Sequence, residues 1–146
     1  MKRIVLITGA TSGYGLASAK RFKESGDTVI IASHNEQKVR AAVDENGFDC
    51  GYTLDVTDYS QWQALREFII KKYGRIDVLV NNAGGGICIA DTTEQTKESI
   101  DSIIALNLNS VIYGSNVFGS VMKEQNDGTN HWHRASSTSL SLATWA

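Results

Sequence analysis

Four short runs of apolar, mostly β-branched residues recur along the chain, and stretches with helical periodicity separate them. The runs cover residues 4–7, 29–32, 52–54 and 78–80. Strands that are apolar at nearly every position are typical of a parallel sheet that is buried on both faces. Parallel strands need right-handed crossovers, which helices usually provide. The pattern therefore predicts an α/β fold: a doubly wound parallel sheet of the Rossmann type in three αβα layers.

The helical segments between these strands can be bounded from capping residues. One helix follows residue 15 and ends by Gly26, a second covers residues 36–45, and a third begins at Thr57 or Asp58 and ends near residue 74. Residues 99–123 suit one long helix or two in series, in which Gly114 and Gly119 are expected to allow close packing. No linker or repeat divides the chain, so residues 1–146 are expected to form one domain.

Charge and composition exclude several classes of function. Sixteen acidic and fourteen basic residues give a formal net charge of −2, which argues against a nucleic-acid partner. Cys50 and Cys88, the only cysteines, lack the spacing of a zinc site. No apolar run reaches the length of a membrane span. We therefore expect a cytoplasmic protein that binds no metal, nucleic acid or membrane.

The segment after the first predicted strand is rich in glycine and leads into a helix. Residues 8–15 read Thr-Gly-Ala-Thr-Ser-Gly-Tyr-Gly. Gly9 permits a tight turn, Gly13 lets the backbone approach a pyrophosphate without a Cβ in the way, and Gly15 lets the helix pack closely. The start of the helix adds free N–H groups and the positive end of its dipole. We therefore predict that this turn binds the phosphates of a dinucleotide; a turn without a ligand is the alternative.

Three further segments accompany the glycine turn. Asp55 and Val56 follow the third strand, residues 81–84 read Asn-Asn-Ala-Gly at the end of the fourth, and residues 106–109 read Leu-Asn-Leu-Asn in the long helical stretch. Together with the Thr-Gly-x-x-x-Gly-x-Gly pattern, they resemble the short-chain dehydrogenase/reductase family in order and spacing. The resemblance covers residues 1–125 and implies an oxidoreductase that transfers hydride between NAD(P) and an alcohol or ketone.

The resemblance also assigns roles to individual residues. It implies that Asp55 and Val56 meet the adenine ring, although Asp55 suits a helix-capping loop as well. Asn107 matches the active-site asparagine of the family, with a helix-kinking or surface asparagine as the alternative, and Ser136 matches the serine that fixes the substrate carbonyl. The cofactor-binding residues assigned in this way are Thr8, Gly9, Thr11, Ser12, Gly13, Tyr14, Gly15, Asp55, Val56, Asn82, Ala83 and Gly84.

The residues after the second strand bear on the choice of cofactor. A carboxylate there would bind the ribose hydroxyls of NAD, whereas a basic or small polar residue would accept the 2′-phosphate of NADP. The strand ends in Ser33, His34 and Asn35, with Lys38 nearby and Glu36 placed late enough to begin the next helix. The sequence therefore favours NADP(H) over NAD(H), with His34 as a solvated loop residue as the alternative.

The end of the chain departs from the family pattern. Members of the family use a tyrosine with a lysine four residues later, and none of the five tyrosines here has one. The spacing from Ser136 would place that tyrosine beyond Ala146, so we expect that the C-terminal part of the fold is missing. Residues 130–134, Asn-His-Trp-His-Arg, replace an expected apolar strand.

We interpret residues 130–134 as the product of an altered reading frame, because shifting plausible codons by one base permits Ile-Ile-Gly-Ile. An uninterrupted frame in the coding DNA would contradict this. Metal binding by His131 and His133 is disfavoured because no third ligand is evident.

Three functional hypotheses follow. The first is a truncated short-chain oxidoreductase that binds cofactor, acts on a small alcohol or carbonyl compound and turns over little. The second is a non-catalytic NAD(P)-binding or sensor protein. The third is a domain for another nucleotide or a flavin. The resemblance further implies a homo-oligomer that pairs through the long helix.

Overall fold

The computed structural model describes residues 2–86, 91–125 and 141–144. Strands and helices alternate in the predicted order, and the bounds extend the predicted ones by one or two residues at most ends. In chain order the elements are β1 (Ile4–Thr8), α1 (Gly13–Glu24), β2 (Thr28–Ser33), α2 (Glu36–Asn46), β3 (Cys50–Thr53), α3 (Tyr59–Tyr73), β4 (Val78–Asn81), a 3-10 turn (Thr92–Glu94), α4 (Lys97–Ile104), a π-helical turn (Ala105–Asn109), α5 (Ser110–Gln125) and β5 (Ser141–Thr144).

The strands form one sheet in the order β3-β2-β1-β4-β5. β1 pairs in parallel with β2 and β4, and β2 pairs in parallel with β3, so the predicted Rossmann-type arrangement is confirmed for these four strands. β5 runs antiparallel to β4. The sequence did not predict a strand at this place. The expected fifth strand ending at Ser136 lies outside the described residues.

Both faces of the sheet are covered by helices, which explains why the strands lack an alternating pattern. Leu6 and Ile30 face a core that contains Trp62, Leu65 and Phe118 from α3 and α5. The intervening strand residues, among them Val5, Ile7, Val29 and Ile31, face a second core with Ala19 of α1 and Ala42 of α2. The three-layer αβα prediction is therefore confirmed.

Capping residues set the ends of the helices. Asp58, rather than Thr57, caps α3 and accepts a hydrogen bond from the Ser60 amide at 2.9 Å. Gly74 ends the same helix in the left-handed conformation that favours glycine. The stretch predicted as one helix or two is α4 and α5 in series, joined by the π-helical turn.

The two glycines of the long helical stretch behave differently. A Cβ at Gly114 would lie 2.7 Å from Cη2 of Trp62, so α5 packs closely there, as predicted. A Cβ at Gly119 would meet no heavy atom within 4 Å, and the prediction of close packing is wrong at that position. Among the helices that the structure describes, none combines the length and apolar character that crossing a membrane requires.

Carboxylates join neighbouring strands at the N-terminal edge of the sheet. One aspartate precedes each of β2, β3 and β4 and accepts a backbone N–H at or just before the start of a neighbouring strand: Asp27, Asp49 and Asp77. Asp27 is buried and also accepts hydrogen bonds from Arg3 Nε at 3.0 Å and Nη2 at 2.6 Å. The bonds from the Arg3 guanidinium hold the pKa of Asp27 below its ordinary value. Asp27 therefore stabilises the folded state in its ionised form.

Asp27→Asn is expected to lower the free energy of unfolding by about 1–2 kcal/mol at pH 7, because a charge-assisted hydrogen bond is lost. A carboxyl with a lowered native pKa stabilises the fold above its unfolded-state value of about 3.9 and loses this effect as the pH falls through the native value. Urea unfolding should therefore show a smaller difference in the free energy of unfolding between the unaltered chain and Asp27→Asn at pH 3 than at pH 7. An equal difference at both values of pH would contradict the assignment.

Candidate functional site

A groove of about 600 Å³ opens where the C-terminal ends of β1, β2, β3 and β4 meet. In a doubly wound sheet this edge is the usual place for a ligand, at the point where the strand order reverses. Nine predicted cofactor residues line the groove together with six further residues. The lining consists of Gly9, Thr11, Ser12, Ser33, His34, Lys38, Leu54, Asp55, Val56, Thr57, Ala83, Gly84, Ser102, Ala105 and Leu106.

The turn after β1 is compact because two of its glycines leave no room for a side chain. Gly9 has φ +64°, and a Cβ there would lie 2.8 Å from Cα of Ala83. A Cβ at Gly15 would lie 2.4 Å from the carbonyl oxygen of Gly9. The start of α1 is thus held directly against the end of β4.

Gly13 differs from these two glycines because it borders open space. Its φ is +55°, and a Cβ there would meet no heavy atom within 4 Å. Ser12 begins α1 without a side-chain cap, whereas side-chain oxygens cap α2, α3 and α4. The first N–H groups of α1 are therefore not engaged by the capping side chain. This arrangement fits an anion such as a pyrophosphate.

Thr8 and Asn82 join the turn after β1 to the end of β4, a set of contacts that we call the Thr8–Asn82 lock. Thr8 Oγ1 accepts hydrogen bonds from the amides of Asn82 and Ala83, both at 3.1 Å. Asn82 Nδ2 donates to the carbonyl oxygens of Thr8 at 3.0 Å and of Gly9 at 3.1 Å. These two residues do not line the groove but hold the backbone that does.

The loop after β3 brings Asp55 to the groove, but Asp58 rather than Asp55 caps the following helix. Asp55 lines the groove, and its Oδ1 accepts hydrogen bonds from the amide of Thr57 at 2.9 Å and from its hydroxyl at 2.7 Å. Val56 also lines the groove, and its carbonyl oxygen accepts a buried hydrogen bond from Nε1 of Trp62 at 2.9 Å. The turn at Asp55 and the bond from Trp62 of α3 therefore shape this wall of the groove.

The end of β2 and the start of α2 give the groove a hydroxyl, an imidazole and an ammonium group. Ser33 is buried, while His34 and Lys38 are exposed, and all three line the groove. Asn35 caps α2 by accepting a hydrogen bond from the Lys38 amide at 2.9 Å. Glu36 pairs with Arg40 and does not line the groove. This stretch therefore contributes no carboxylate to the groove.

Asn107 lies in the π-helical turn between α4 and α5 and binds the glycine run after β4. Its Oδ1 accepts the amide of Gly85 at 3.0 Å, and its Nδ2 donates to the Gly85 carbonyl oxygen at 2.9 Å. A Cβ at Gly84 would lie 2.8 Å from Asn107 Oδ1, so a larger residue there would require the Asn107 side chain to shift. Ser136, the other predicted catalytic residue, lies outside the described residues.

Several lining residues were missed, and six of the predicted cofactor residues do not line the groove: Thr8, Gly13, Tyr14, Gly15, Asn35 and Asn82. Tyr14 is 86% exposed and does not line the groove. The sequence did not single out Ser102 and Ala105 of the α4 region, whose position depends on how that region crosses the sheet. Within residues 2–86, 91–125 and 141–144, no three His, Cys, Asp or Glu side chains converge to hold a metal ion. His131 and His133 lie outside these ranges.

Comparison with known proteins decides the family. The family model described as short chain dehydrogenase matches residues 3–129. The chain belongs to this family. The resemblance inferred from the glycine turn and the Asn-Asn-Ala-Gly segment is thereby confirmed, and with it the assignment to a family of NAD(P)-binding oxidoreductases.

Individual relatives agree with this membership. The chain is 35% identical over 133 residues to a 3-oxoacyl-[acyl-carrier-protein] reductase of Thermotoga maritima, covering 87% of the chain and 53% of that relative. It is 40% identical over 118 residues to a 3beta-hydroxysteroid dehydrogenase of Mediterraneibacter gnavus, covering 77% and 42%. A short chain dehydrogenase/reductase from Burkholderia phymatum, solved in complex with NAD, superposes with a TM-score of 0.81 at 29% identity, covering 86% and 46%. The chain spans about half the length of these relatives.

Thr8→Val is expected to lower the free energy of unfolding by about 2–3 kcal/mol, because the near-isosteric side chain leaves the Asn82 and Ala83 amides without their acceptor. Thr8→Ser keeps the hydroxyl and serves as the control, with a much smaller loss. Urea unfolding of the three proteins provides the measurement. Equal stability of the valine and serine variants would show that the two hydrogen bonds to Thr8 Oγ1 do not stabilise the fold.

Proposed function

We propose that the groove binds a nicotinamide dinucleotide, with NADP(H) favoured over NAD(H), as the cofactor of hydride transfer to or from a small alcohol or ketone. The observation that carries this proposal is the start of α1. It has no side-chain cap, and Gly13 there borders open space beside a groove at the reversal of strand order. A helix N-terminus at such a place suits a pyrophosphate.

The groove offers distinct surroundings for the two ends of a dinucleotide. Leu54 and Val56 provide an apolar wall for an adenine ring, with the Asp55 carboxylate beside them. Ala83 and Gly84 line the side toward the Asn107 turn, where we place the nicotinamide half. A bound nicotinamide supplies or accepts the hydride, and the residues of this chain orient it.

The preference for NADP(H) rests on Ser33, His34 and Lys38. A 2′-phosphate beside them would accept hydrogen bonds from a hydroxyl and an ammonium group, and from the imidazole as well when its N–H faces the phosphate. The absence of a carboxylate from the β2–α2 stretch of the groove removes the usual partner of the NAD ribose hydroxyls.

A second function is favoured by one feature of the printed sequence. No tyrosine among the 146 residues has a lysine four residues later, so these residues lack the family's acid–base pair. In the first proposal these residues are the cofactor-binding part of an oxidoreductase, and the 146-residue chain by itself binds cofactor with little turnover. The alternative is a non-catalytic NAD(P)-binding or sensor protein, in which cofactor binding is itself the function.

Lys38→Ala is expected to raise the Kd of the chain for NADPH by about threefold to tenfold, because a charge-assisted contact with the 2′-phosphate is lost. The Kd for NADH should change less than twofold. Lys20→Ala, an exposed lysine on α1 away from the groove, is the matched control. Nucleotide fluorescence titrations measure both constants. An equal rise in the Kd for NADPH and for NADH in Lys38→Ala would contradict the proposed 2′-phosphate contact. If the unaltered chain bound neither nucleotide, the proposed function would be contradicted.

Hydride transfer separates the two candidate functions. The 146-residue chain is expected to oxidise NADPH with simple ketones no faster than a blank, although it binds NADPH. A version extended by the residues that follow in an undisturbed reading frame should gain activity if the first proposal is right. An extended chain that binds NADPH and stays inactive with carbonyl compounds and alcohols would favour the non-catalytic alternative.

We also propose that a second copy of the chain covers one face of the α4–α5 region. Large apolar side chains recur there at four-residue intervals and are 43–55% exposed: Ile100, Ile104, Leu108 and Ile112. An apolar stripe of this kind is typical of an interface. A monomeric mass in sedimentation equilibrium would contradict this proposal.

A further inference from the structure

Helix α3 reaches back to the loop that forms the adenine wall of the groove. Trp62 Nε1 donates a buried hydrogen bond to the carbonyl oxygen of Val56 at 2.9 Å. Gln61 Oε1 accepts the amide of Asp55 at 2.9 Å, but this second bond is exposed to solvent. Water can replace the exposed bond from the Asp55 amide, but it can reach the buried bond between Trp62 and Val56 only if the loop rearranges.

The indole ring is itself held in place by α5. Trp62 is fully buried and meets the Phe118 ring edge-on, with ring centroids 6.2 Å apart. Gly114 leaves the space that the ring needs, since a Cβ at Gly114 would lie 2.7 Å from Trp62 Cη2 and 2.5 Å from Asn81 Oδ1. These contacts hold the indole ring in one position, and its N–H therefore orients the Val56 carbonyl.

We propose that Trp62 is a positioning residue for the adenine end of the cofactor, an inference that rests on the proposed function. The indole N–H holds the Val56 carbonyl toward the core. Without this donor the carbonyl would be buried and unpaired, which is costly, so it would turn toward the nearest water. Because Val56 lines the groove, the solvent that a rotated carbonyl would meet is that of the groove, and the rotation would move the apolar wall formed by Val56.

A purely structural role for Trp62 makes a different prediction. A core residue whose loss only weakens packing lowers the population of folded molecules but leaves the affinity of the folded molecules unchanged. A positioning residue alters the affinity of folded molecules for a ligand that touches the wall. It leaves unchanged the affinity for a ligand that does not.

The experiment compares ADP, which carries the adenine half, with nicotinamide mononucleotide, which lacks it. Two variants remove the donor from the full chain: Trp62→Phe, and replacement of Trp62 by 3-benzothienylalanine, which keeps the ring shape but has no N–H. Ile69→Ala, a fully buried residue of α3 in the same core, is the control for lost packing. Unfolding in urea and calorimetric titration are measured on each protein.

Both donor-free variants are expected to bind ADP about threefold to tenfold more weakly, while the Kd for nicotinamide mononucleotide stays within twofold. Ile69→Ala should lose stability with its Kd for ADP unchanged. The benzothienyl variant keeps the test valid if Trp62→Phe fails to fold. Unchanged ADP affinity in the folded benzothienyl variant would overturn the inference alone. Failure of the unaltered chain to bind ADP or NADPH would overturn the proposed function and this inference with it.

Discussion

The Thr8–Asn82 lock is the contact on which the site depends. β1 and β4 are neighbours in the sheet, yet between them the chain passes through three helices and two strands. The amides and side-chain nitrogen of Asn82 and Ala83 bind the turn after β1, and the glycines at positions 9 and 15 allow the approach. Because this contact joins segments that are 74 residues apart in sequence, this side of the groove forms only when β1 and β4 have come together.

Most of the fold follows from local patterns, and the exceptions have a long-range cause. The third strand was expected at residues 52–54 but covers Cys50–Thr53. Gly51 lowers strand propensity, yet α2 requires glycine there, since a Cβ would lie 2.5 Å from Cγ1 of Val39. β5 was not predicted because its four residues, Ser-Leu-Ala-Thr, show no strand pattern. Its pairing depends on the open edge of β4, whose unpaired backbone groups accept a further strand.

The turn after β1 could be predicted because the spacing of its glycines follows from the backbone conformation and close packing that the turn requires. Close neighbours leave no room for a side chain at Gly9 and Gly15. Gly13 has a positive φ and borders open space, which leaves room for a ligand. Side-chain roles were harder to predict. The Asn-Asn-Ala-Gly segment was expected both to line the cofactor and to steady the sheet, but the sequence did not indicate that the Asn82 amide group bonds to the turn after β1. Trp62 was recognised only as an apolar residue of α3. A hydrogen bond between two distant elements produces no periodic pattern in the sequence, so it cannot be predicted from periodicity.

The aspartates at the starts of β2, β3 and β4 have a consequence for how the sheet tolerates change. They place the ionised groups that tie the strands together at one edge, while the groove lies at the opposite edge. A five-residue strand such as β1 is about 16 Å long, which exceeds the Debye length of roughly 8 Å at physiological salt. Charge changes at the solvent-exposed positions of the carboxylate edge are therefore largely screened by salt from an anionic ligand in the groove. Evolution or design can retune the stability of the sheet at those positions, and its response to acid, with little change in the field that a dinucleotide meets.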